Sequence, residues 1–466
     1  MVSFKPTKKL LKEGISMKKS LLAMAALMGV ATLPAHAWRV NIDKETFADI
    51  TFATQIVGTA QGKRTNAPTD HNATNFAAKL VTIGASGQVN KLVYFGITAE
   101  SPSPGLRSSF VTRDAFVGLK FAEEFRVQAG AMRIPFSRAT LTSSYNFLIP
   151  TQDVRDVYGR GLSIDPIDGL SVRGDAGERN RDAGIVVWGN LAGGMLKYYL
   201  GVSDGRFDRR TGLFSTTLIS ATNCETNTAG DTTMCRDYRT RTTNYTKDNL
   251  AYTIRLQFTP TMLGFKPETR YSLADTYLGR QNVHNVGIGY RVVKAETTGL
   301  PRNYSKTAEL FTVDVIYEQK FGELVPNFQV GYIDAKDVAY RFEFVDTDGD
   351  GRPDTHFVSY GKATQIYAQG QLLYDQVVGF GKPALAIRLE QNKNKDRRNF
   401  NTTNGQTTAI PGEPKNTRLG VFVNYYIKGQ DARIAFGVDT VNRNRASKGA
   451  NGRNFTDYTL YLQTRF

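Results

Sequence analysis

The chain has 466 residues and a formal net charge of +16, with 59 Lys and Arg against 43 Asp and Glu. Beyond its first 37 residues, no stretch approaches the ~18 consecutive apolar residues that a membrane-spanning helix needs, which excludes a helical membrane bundle. The basic excess would favour nucleic acid as a partner in a cytosolic protein, but the export signal described next favours small anions and lipopolysaccharide phosphates.

The first 37 residues predict a targeting segment. From Met17 the sequence MKKSLLAMAALMGVATLPAHA begins with Lys18 and Lys19, continues with an apolar stretch at 21–33, and ends in small residues at 35–37. This is the order of a cleaved secretory signal peptide. We therefore expect residues 1–37 to be an N-terminal extension followed by a signal peptide that begins at residue 17, and residues 38–466 to form the mature domain.

The rest of the chain is a series of segments in which apolar and polar residues alternate. Segment 249–259, for example, places Tyr252, Ile254 and Leu256 on one side and Thr253, Arg255 and Gln257 on the other. Period-two alternation predicts strands with one apolar and one wet face. The predicted strands are 46–58, 74–84, 89–100, 110–121, 124–134, 181–191, 195–204, 249–259, 268–280, 308–318, 326–337, 360–374, 383–393, 416–428, 432–442 and 455–466.

The connections between these strands alternate between short and long. Short turns on one side and long loops on the other are typical of outer-membrane β-barrels, whose short turns are periplasmic and whose long loops are extracellular. We therefore predict an all-β fold, a transmembrane antiparallel β-barrel of sixteen strands in the outer membrane of a Gram-negative bacterium. Segments 286–293 and 160–165 also alternate; we assign them to long loops, and counting both as strands leaves eighteen open.

Arginine recurs on the polar faces of the predicted strands. Because the apolar faces of a membrane barrel point to lipid, these polar faces would line the lumen and favour anions. The candidate pore-lining residues on strands are Arg255, Arg388, Arg418, Arg433 and Arg465. Ordinary salt bridges across the lumen would give the same pattern, and a register error of one residue would exchange the faces.

The predicted loop 135–180 is the longest early connection. It carries Arg138, Arg155 and Arg160 together with several aspartates, so it is a candidate for folding into the lumen and constricting the pore. Facing arginines and carboxylates would select solutes by charge and size. The alternative is a solvated external loop whose charges pair with one another.

The two cysteines of the chain, Cys224 and Cys235, lie in a polar stretch between predicted strands. In an oxidising compartment they predict a disulfide within a loop. Two cysteines and four scattered histidines give no ligand set for zinc.

The segment DTDGDGRPD at 346–354 resembles the first half of a calcium-binding loop. In such loops alternate oxygens converge on one hard cation, and the candidate ligands are Asp346, Asp348, Asp350 and Asp354. The twelfth position holds Phe357 in place of a bidentate glutamate, so the segment is not a complete EF-hand. A structural calcium ion is one interpretation, and a tight polar turn without metal is the other. No other cofactor is predicted.

The segment FVTRDAFVGLKFAEEFRVQAGAMRIPFSRATLTSSYNFL at 110–148 resembles the core of the phosphate-selective porin O and P family. The stretch from Asp114 to Leu119 and the stretch from Arg133 to Phe136 carry the likeness. The resemblance implies a sixteen-stranded, trimeric porin whose arginines and lysines conduct anions. Arg133 is the one basic position that the motif itself places, and it is therefore a further pore-lining candidate.

The leading hypothesis is a porin for passive diffusion of small anionic or neutral solutes, favouring anions such as phosphate. The alternative is a non-conducting barrel that acts as a sheath around an electron-transfer partner or as a surface-binding protein; a lumen occupied by a partner would distinguish it. The chain shows no nucleophile elbow, zinc motif or phosphate-cradling loop, so we predict no enzyme. An enzyme would need a nucleophile near His284 or His356.

Overall fold

The computed structural model describes residues 38–63, 66, 71–101, 110–150, 181–203, 216–220, 224–226, 232–235, 238–239, 250–297, 304–346, 355–395, 400–403, 406–409, 415–444 and 453–466. Almost all of the regular structure in this part of the chain is β-strand. The strands are β1 (Trp38–Asn41), β2 (Phe47–Gln61), β3 (Ala73–Gln88), β4 (Val93–Ser101), β5 (Val111–Lys120), β6 (Arg126–Arg133), β7 (Arg181–Leu191), β8 (Leu196–Ser203), β9 (Thr216–Ser220), β10 (Cys224–Thr226), β11 (Thr232–Cys235), β12 (Tyr238–Arg239), β13 (Ala251–Phe258), β14 (Val283–Thr297), β15 (Tyr304–Glu318), β16 (Leu324–Asp346), β17 (Thr355–Tyr374), β18 (Lys382–Lys395), β19 (Phe400–Thr403), β20 (Gln406–Ala409), β21 (Lys415–Lys428), β22 (Ala432–Arg443) and β23 (Phe455–Arg465).

Helical structure in the described residues is limited to single turns. These are an α-helical turn at Arg138–Leu141 and 3₁₀ turns at Ser144–Asn146, Ala192–Gly194 and Thr261–Leu263. No helix in this part of the chain is long and apolar enough to cross a bilayer.

Sixteen strands close into one antiparallel ring. The ring runs through β2–β8, β13–β18 and β21–β23, and β13 pairs directly with β8. It closes where residues 53–61 of β2 pair with residues 457–465 of β23. The other strands of the described residues lie outside the ring, and β1 extends it beside the start of β2. The predicted sixteen-stranded barrel is confirmed.

Alternation along each strand sorts residues between the two faces of the barrel wall. In β13 the side chains of Tyr252 and Ile254 are 54% and 42% exposed, whereas Thr253 and Arg255 are 5% and 0% exposed. Apolar residues therefore face outward and polar residues inward, the reverse of a soluble protein. This is the arrangement of a barrel whose outer face contacts lipid and whose inner face contacts water.

The two ends of the barrel differ in the length of their connections. At one end, here called the short-turn end, hairpins such as 89–92, 121–125 and 429–431 join neighbouring strands. At the other, the long-loop end, the connections include 134–180 and 204–250. In outer-membrane barrels the short turns face the periplasm. One connection at the short-turn end, residues 259–282, is much longer than the others there.

The predicted strand at 268–280 is wrong, and so is the assignment of 286–293 to a loop. Residues 268–280 belong to the long connection 259–282, while 286–293 lie in β14 and pair with both β13 and β15. Tyr271 and Leu273 do point the same way, but they pack on an apolar cluster inside the barrel. Alternating polarity therefore arose here from packing against the inner wall and not from membership of the ring.

Two glycines let the contents of the lumen approach β14 closely. Gly287 and Gly289 occupy lumen-facing positions, where a Cβ would lie 2.2 Å from Nη2 of Arg255 and 2.0 Å from the carbonyl oxygen of Phe136, respectively. Any side chain here would displace an arginine or a backbone segment that fills the lumen. Glycine weakens a strand but permits such close approach.

Two segments of the chain enter the lumen from opposite ends of the barrel. The outer insert, residues 134–150, follows β6 at the long-loop end, and the inner insert, residues 259–282, joins β13 to β14 at the short-turn end. They meet where the amide of Leu273 donates to the carbonyl of Leu141 at 3.1 Å, beside a parallel bridge between Thr142 and Leu273. The barrel is therefore packed internally by its own chain.

Apolar contacts hold both inserts against the wall. Leu148 and Ile149 of the outer insert are fully buried and cluster with Phe422 and Tyr461 on lumen-facing positions. A second cluster joins Leu141 and Leu273, one residue from each insert, to wall residues Met132, Val186, Trp188 and Tyr199. In place of the single hydrophobic core of a soluble domain, these small apolar clusters pack the two inserts against the barrel wall.

Candidate functional site: the lumen and its open half

The outer insert is fixed where it leaves the wall. The Arg255 side chain donates to both carboxylate oxygens of Asp314 at 2.7 Å and to the carbonyl of Phe136 at 3.3 Å. Asp314 also accepts from the amide of Arg138 at 3.0 Å. The buried Arg255–Asp314 pair thus binds the start of the outer insert. Arg255 was a pore-lining candidate from the sequence, and in the structure it holds this backbone segment in place.

The far end of the outer insert is fixed by side chains of the opposite wall. The carbonyl oxygens of Tyr145, Phe147 and Leu148 each accept a hydrogen bond from a wall residue. The donors are Gln463 at 3.0 Å, Arg433 at 2.6 Å and Asn424 at 2.9 Å. Charge-assisted and amide hydrogen bonds to three carbonyls within four residues fix this part of the backbone. Arg433, another pore-lining candidate, therefore supports the backbone of the outer insert.

The inner insert fills the half of the lumen that faces β14–β18. The backbone carbonyl of Asp275 accepts hydrogen bonds from Asn327 and Gln329 of β16, and its carboxylate accepts from Gln369 of β17. Leu278 packs on an apolar cluster with Val325 of the same wall. This half of the lumen is occupied by protein.

The two inserts are joined to each other by a buried ion pair. Arg138 of the outer insert donates to both carboxylate oxygens of Glu268 of the inner insert, at 3.1 and 2.5 Å, and each side chain is 1% exposed. Burial by itself would raise the pKa of Glu268, but the charge of Arg138 and hydrogen bonds from Arg138 and Tyr277 outweigh it and lower that pKa. Glu268 is thus the shared anchor of the two inserts.

A lysine secures the base of the inner insert. Nζ of Lys197 donates to the carbonyl oxygen of Glu268 at 2.7 Å and also to that of Arg270. It lies over the rings of Trp188 and Tyr199, at 5.5 and 5.2 Å from their centroids. The backbone of the insert is therefore tied to β8 as well as to the outer insert.

The other half of the lumen is open. A cavity of about 250 Å³ lies between the inner face of β2–β7 and the two inserts. It extends from the level of Thr51 and Arg465, near the short-turn end, to the level of Glu100 and Arg181, near the long-loop end. Tyr145 of the outer insert and Tyr271 of the inner insert form part of its lining. This cavity is the candidate passage.

Both carboxylates that line the cavity already have arginine partners. Asp114 accepts two hydrogen bonds from Arg181, at 2.9 and 3.0 Å, and Glu100 pairs with Arg113. Paired charges contribute little net field across a passage, because each cancels most of its partner's field at a distance. Ion selectivity of the passage should therefore depend mainly on any cavity-lining charge that has no oppositely charged partner.

Arg133 is the exception among the cavity-lining charges. Its Nη1 donates to the carbonyl of Thr142 at 2.7 Å, and no carboxylate of the described residues lies within ion-pair distance of it. The rest of its guanidinium faces the cavity, and Tyr271 fixes its backbone by donating to its carbonyl oxygen at 2.7 Å. Arg133 thus presents an uncancelled positive charge to the passage, toward the long-loop end.

The remaining strand arginines named from the sequence are paired with carboxylates. Arg388 donates to Glu390 at 2.8 Å, Arg418 donates to Asp439 at 2.8 Å, and Arg465 donates to Asp431 at 2.8 Å near the short-turn mouth. These three arginines, like Arg255, therefore form salt bridges, whereas Arg433 donates to a backbone carbonyl; together they do not form a row of free positive charges. This is the alternative that sequence alone left open.

Several predicted site residues fall outside the described residues. These are Arg155 and Arg160 of the predicted constricting loop, and Asp348, Asp350 and Asp354 of the aspartate-rich segment. Asp346 is described only through its backbone, as the last residue of β16. No group of His, Cys, Asp and Glu in the described part of the chain could hold a metal ion.

The two cysteines are described through their backbone alone. β10 and β11 form an antiparallel hairpin in which Cys224 lies directly opposite Cys235. Directly opposed residues in antiparallel strands have Cα atoms about 4.5–5.5 Å apart, which falls in the range that a disulfide spans.

The sequence did not reveal the residues of the inner insert. Glu268, Tyr271 and Asp275 were assigned to a barrel strand, yet they anchor the insert or line the cavity. Two features of the sequence indicate that this segment is not an ordinary barrel strand. Pro260 and Pro267 lie at its start, where proline interrupts strand pairing, and Gly287 and Gly289 mark the close approach that follows.

The histidines named for an enzyme hypothesis do not form a site in the described residues. The ring of His284 packs against Phe265 at 5.5 Å and Tyr317 at 6.0 Å between centroids. The side chain of His356 lies outside the described residues.

Comparison with known families supports the resemblance noted above. A family model described as "Phosphate-selective porin O and P" matches residues 61–168, which include β3 to β6 and the outer insert. The match confirms the resemblance in the part of the chain that carries the 110–148 motif. A comparison with curated protein sequences found no match.

Several solved outer-membrane structures are similar to this chain at low sequence identity. OprB of Pseudomonas putida, in its high-pH structure, is 8% identical, with 90% of this chain and 94% of that chain covered and a TM-score of 0.50. The outer membrane channel DcaP of Acinetobacter baumannii is 10% identical over 90% of this chain and 97% of that one, with a TM-score of 0.48. An anion-selective porin from Comamonas acidovorans is 11% identical over 90% and 100%, with a TM-score of 0.46. With the closed ring, the family match places this chain among integral β-barrels of the outer membrane.

Proposed function

We propose that this chain is a porin through which small hydrophilic solutes diffuse passively, with a preference for anions. The passage is the open half of the lumen, between the inner face of β2–β7 and the two inserts. The family match supports the channel function, and its description makes phosphate the first anion to test.

The observation that carries the anion preference is the uncancelled charge of Arg133. Asp114 and Glu100 line the same cavity, but Arg181 and Arg113 neutralise them. A solute that passes between Arg133 and the opposite wall therefore meets a net positive charge at close range, where water screens it less than in bulk solution. Weak, repeated binding of this kind speeds entry without preventing exit.

The test is the reversal potential of the purified protein in a planar bilayer across a potassium chloride gradient. We expect reversal on the anion side for the native protein and for Arg133→Lys. We expect Arg133→Gln to shift the reversal potential toward zero, since it keeps a polar side chain of similar length without the charge. Arg453→Gln is the matched control and should not shift it, because Arg453 is an exposed arginine just before β23 that does not line the cavity.

A reversal potential on the cation side would refute the anion preference but would still support the proposed porin function. Absence of conductance from a correctly folded barrel would refute the porin and favour the alternative of a sheath or surface-binding protein. The two inserts argue against a sheath, because they occupy the part of the lumen where a polypeptide partner would lie.

The family resemblance also leads us to propose a homotrimer in the outer membrane, in contact with lipid and lipopolysaccharide. Chemical cross-linking of the protein in native membranes would give a band at three times the monomer mass. A monomer band alone, at cross-linker concentrations that capture a known trimeric porin, would refute this proposal.

We further propose a disulfide between Cys224 and Cys235, supported by their opposed backbone positions. Alkylation of the exported protein with a mass-tagged thiol reagent should add no mass before reduction and two tags after it. Two tags before reduction would show free thiols.

The aspartate-rich segment at 346–354 remains a proposed calcium site. Calorimetric titration of the purified barrel with calcium should show saturable binding that Asp348→Asn together with Asp350→Asn abolishes. A titration without saturation would favour the tight polar turn without metal.

A further inference from the structure

Apolar and aromatic side chains share the cavity with Arg133. The cavity that its guanidinium faces is also lined by Phe116, Met132, Tyr145 and Tyr271. Phe116 and Tyr271 belong to or pack on one apolar cluster that includes Met132, so their rings are held in place by the wall. The positive charge and the aromatic surface therefore meet in one small space.

The cavity offers one free cation and no more among the described residues. Arg181 uses its guanidinium to hold Asp114, and Arg113 pairs with Glu100. A solute with a second negative charge would find no free partner for it and would approach two fixed carboxylates. Like charges at short range in a weakly screened site are strongly disfavoured.

We infer that the passage favours monovalent carboxylates with an apolar or aromatic body over small dianions and over acetate. This rests on the proposed porin function and names its solute class. The cavity of about 250 Å³ exceeds the ~150 Å³ cavity that is known to hold a benzene ring in another protein, so an aromatic monocarboxylate fits within it.

The contacts for such a solute are already in place. A carboxylate pairs with the planar guanidinium fork of Arg133, whose remaining N–H groups face the cavity. The aromatic body then lies against Phe116 and the ring of Tyr271. Contact between the body and these rings removes apolar surface from water, a gain that acetate lacks.

The experiment measures block of single-channel chloride current by added solutes. The probes are benzoate, acetate, benzyl alcohol and phthalate, which vary the charge and the ring independently, and inorganic phosphate. We expect benzoate to half-block at a concentration about fivefold or more below that of acetate, which corresponds to partial burial of one ring. Benzyl alcohol, phthalate and phosphate should be weaker than benzoate.

Variants separate the two contacts. Arg133→Gln should abolish block by benzoate and by acetate alike. Tyr271→Ala should bring benzoate to the level of acetate, while Tyr271→Phe should retain the difference because the ring remains. Arg453→Gln, at an exposed arginine outside the cavity, is the unchanged control. Retention of the folded, heat-modifiable band on gels verifies that each variant folds.

The outcomes distinguish this inference from the porin itself. No chloride current would refute the porin function. An anion current blocked equally by benzoate and acetate, or most strongly by phthalate or phosphate, would keep the porin and refute this solute class. A benzoate preference that survives Arg133→Gln would place the site elsewhere and overturn the assignment to this cavity.

Discussion

Arg138 and Glu268 form a buried, two-pronged ion pair although their segments enter the barrel from opposite ends. The pair fixes the outer insert against the inner one, and both against the wall through Lys197 and Asp314. The width of the open half therefore depends on a contact that does not itself line it.

Loss of this pair should loosen the inserts. Glu268→Gln leaves the Arg138 charge buried without its partner, and breaking one partner of a buried pair costs about 3–5 kcal/mol. We expect a lower unfolding temperature, measured by the loss of the folded band on heating, and added noise in the open-channel current. Glu309→Gln is the control, since Glu309 and Lys336 are both exposed and 4.0 Å apart, and exposed pairs contribute about 0–1 kcal/mol.

The same pair predicts a dependence of stability on pH. The pKa of Glu268 is lowered in the folded protein, so its ionised form contributes stability above the ordinary glutamate pKa of about 4.3, and this contribution is lost as pH falls below that value. We expect the unfolding temperatures of the native protein and Glu268→Gln to differ at neutral pH and to converge as the pH falls below the ordinary glutamate pKa and through the lowered one. A difference that grows on acidification would contradict the assigned direction of the shift.

A glycine on the wall should be required for the outer insert to dock. In Gly289→Ala the new Cβ would lie 2.0 Å from the carbonyl oxygen of Phe136, so the insert must shift away from β14. We expect an altered conductance and a lower unfolding temperature. Gly201→Ala is the matched control on β8, because its nearest atom is 3.4 Å from the new Cβ, an ordinary contact.

Arg433 should act on stability and not on selectivity. Its guanidinium lies beneath the outer insert, donates to the carbonyl of Phe147 and is 1% exposed. Arg433→Gln should lower stability by about 1.5–3 kcal/mol, the range for a hydrogen bond to a charged group, while the reversal potential stays at the native value. A shift as large as that of Arg133→Gln would show that Arg433 faces the passage after all.

The ring of strands was largely predictable from sequence because the rule behind it is local. Alternation at 249–259 or 455–466 reports which residues face lipid, and each segment reveals this without reference to any other. Fifteen of the predicted strands coincide with barrel strands. The sixteenth was misplaced, because the alternation of Tyr271 and Leu273 imitates a strand and segment 286–293, which also alternates, was assigned to a loop.

The interior of the lumen was much less predictable. Nothing in the sequence near Arg255 or Arg418 shows that Asp314 and Asp439 neutralise them, since these pairings depend on strand register. Arg133 could be placed at the pore through a motif, but its lack of a partner depends on where Arg181 and Asp114 meet. Pairing across the lumen is a property of the closed barrel and not of any one segment.

Tyr145 adds a consequence for how the molecule assembles. Its hydroxyl is 2.8 Å from the Thr82 hydroxyl on β3, and its carbonyl accepts from Gln463 on β23, so it bridges both sides of the seam where the first and last barrel strands meet. The full set of Tyr145 contacts forms only when the insert is docked and the first and last barrel strands are in register. Docking of the insert and closure of the sheet therefore stabilise each other, although they involve distant parts of the chain.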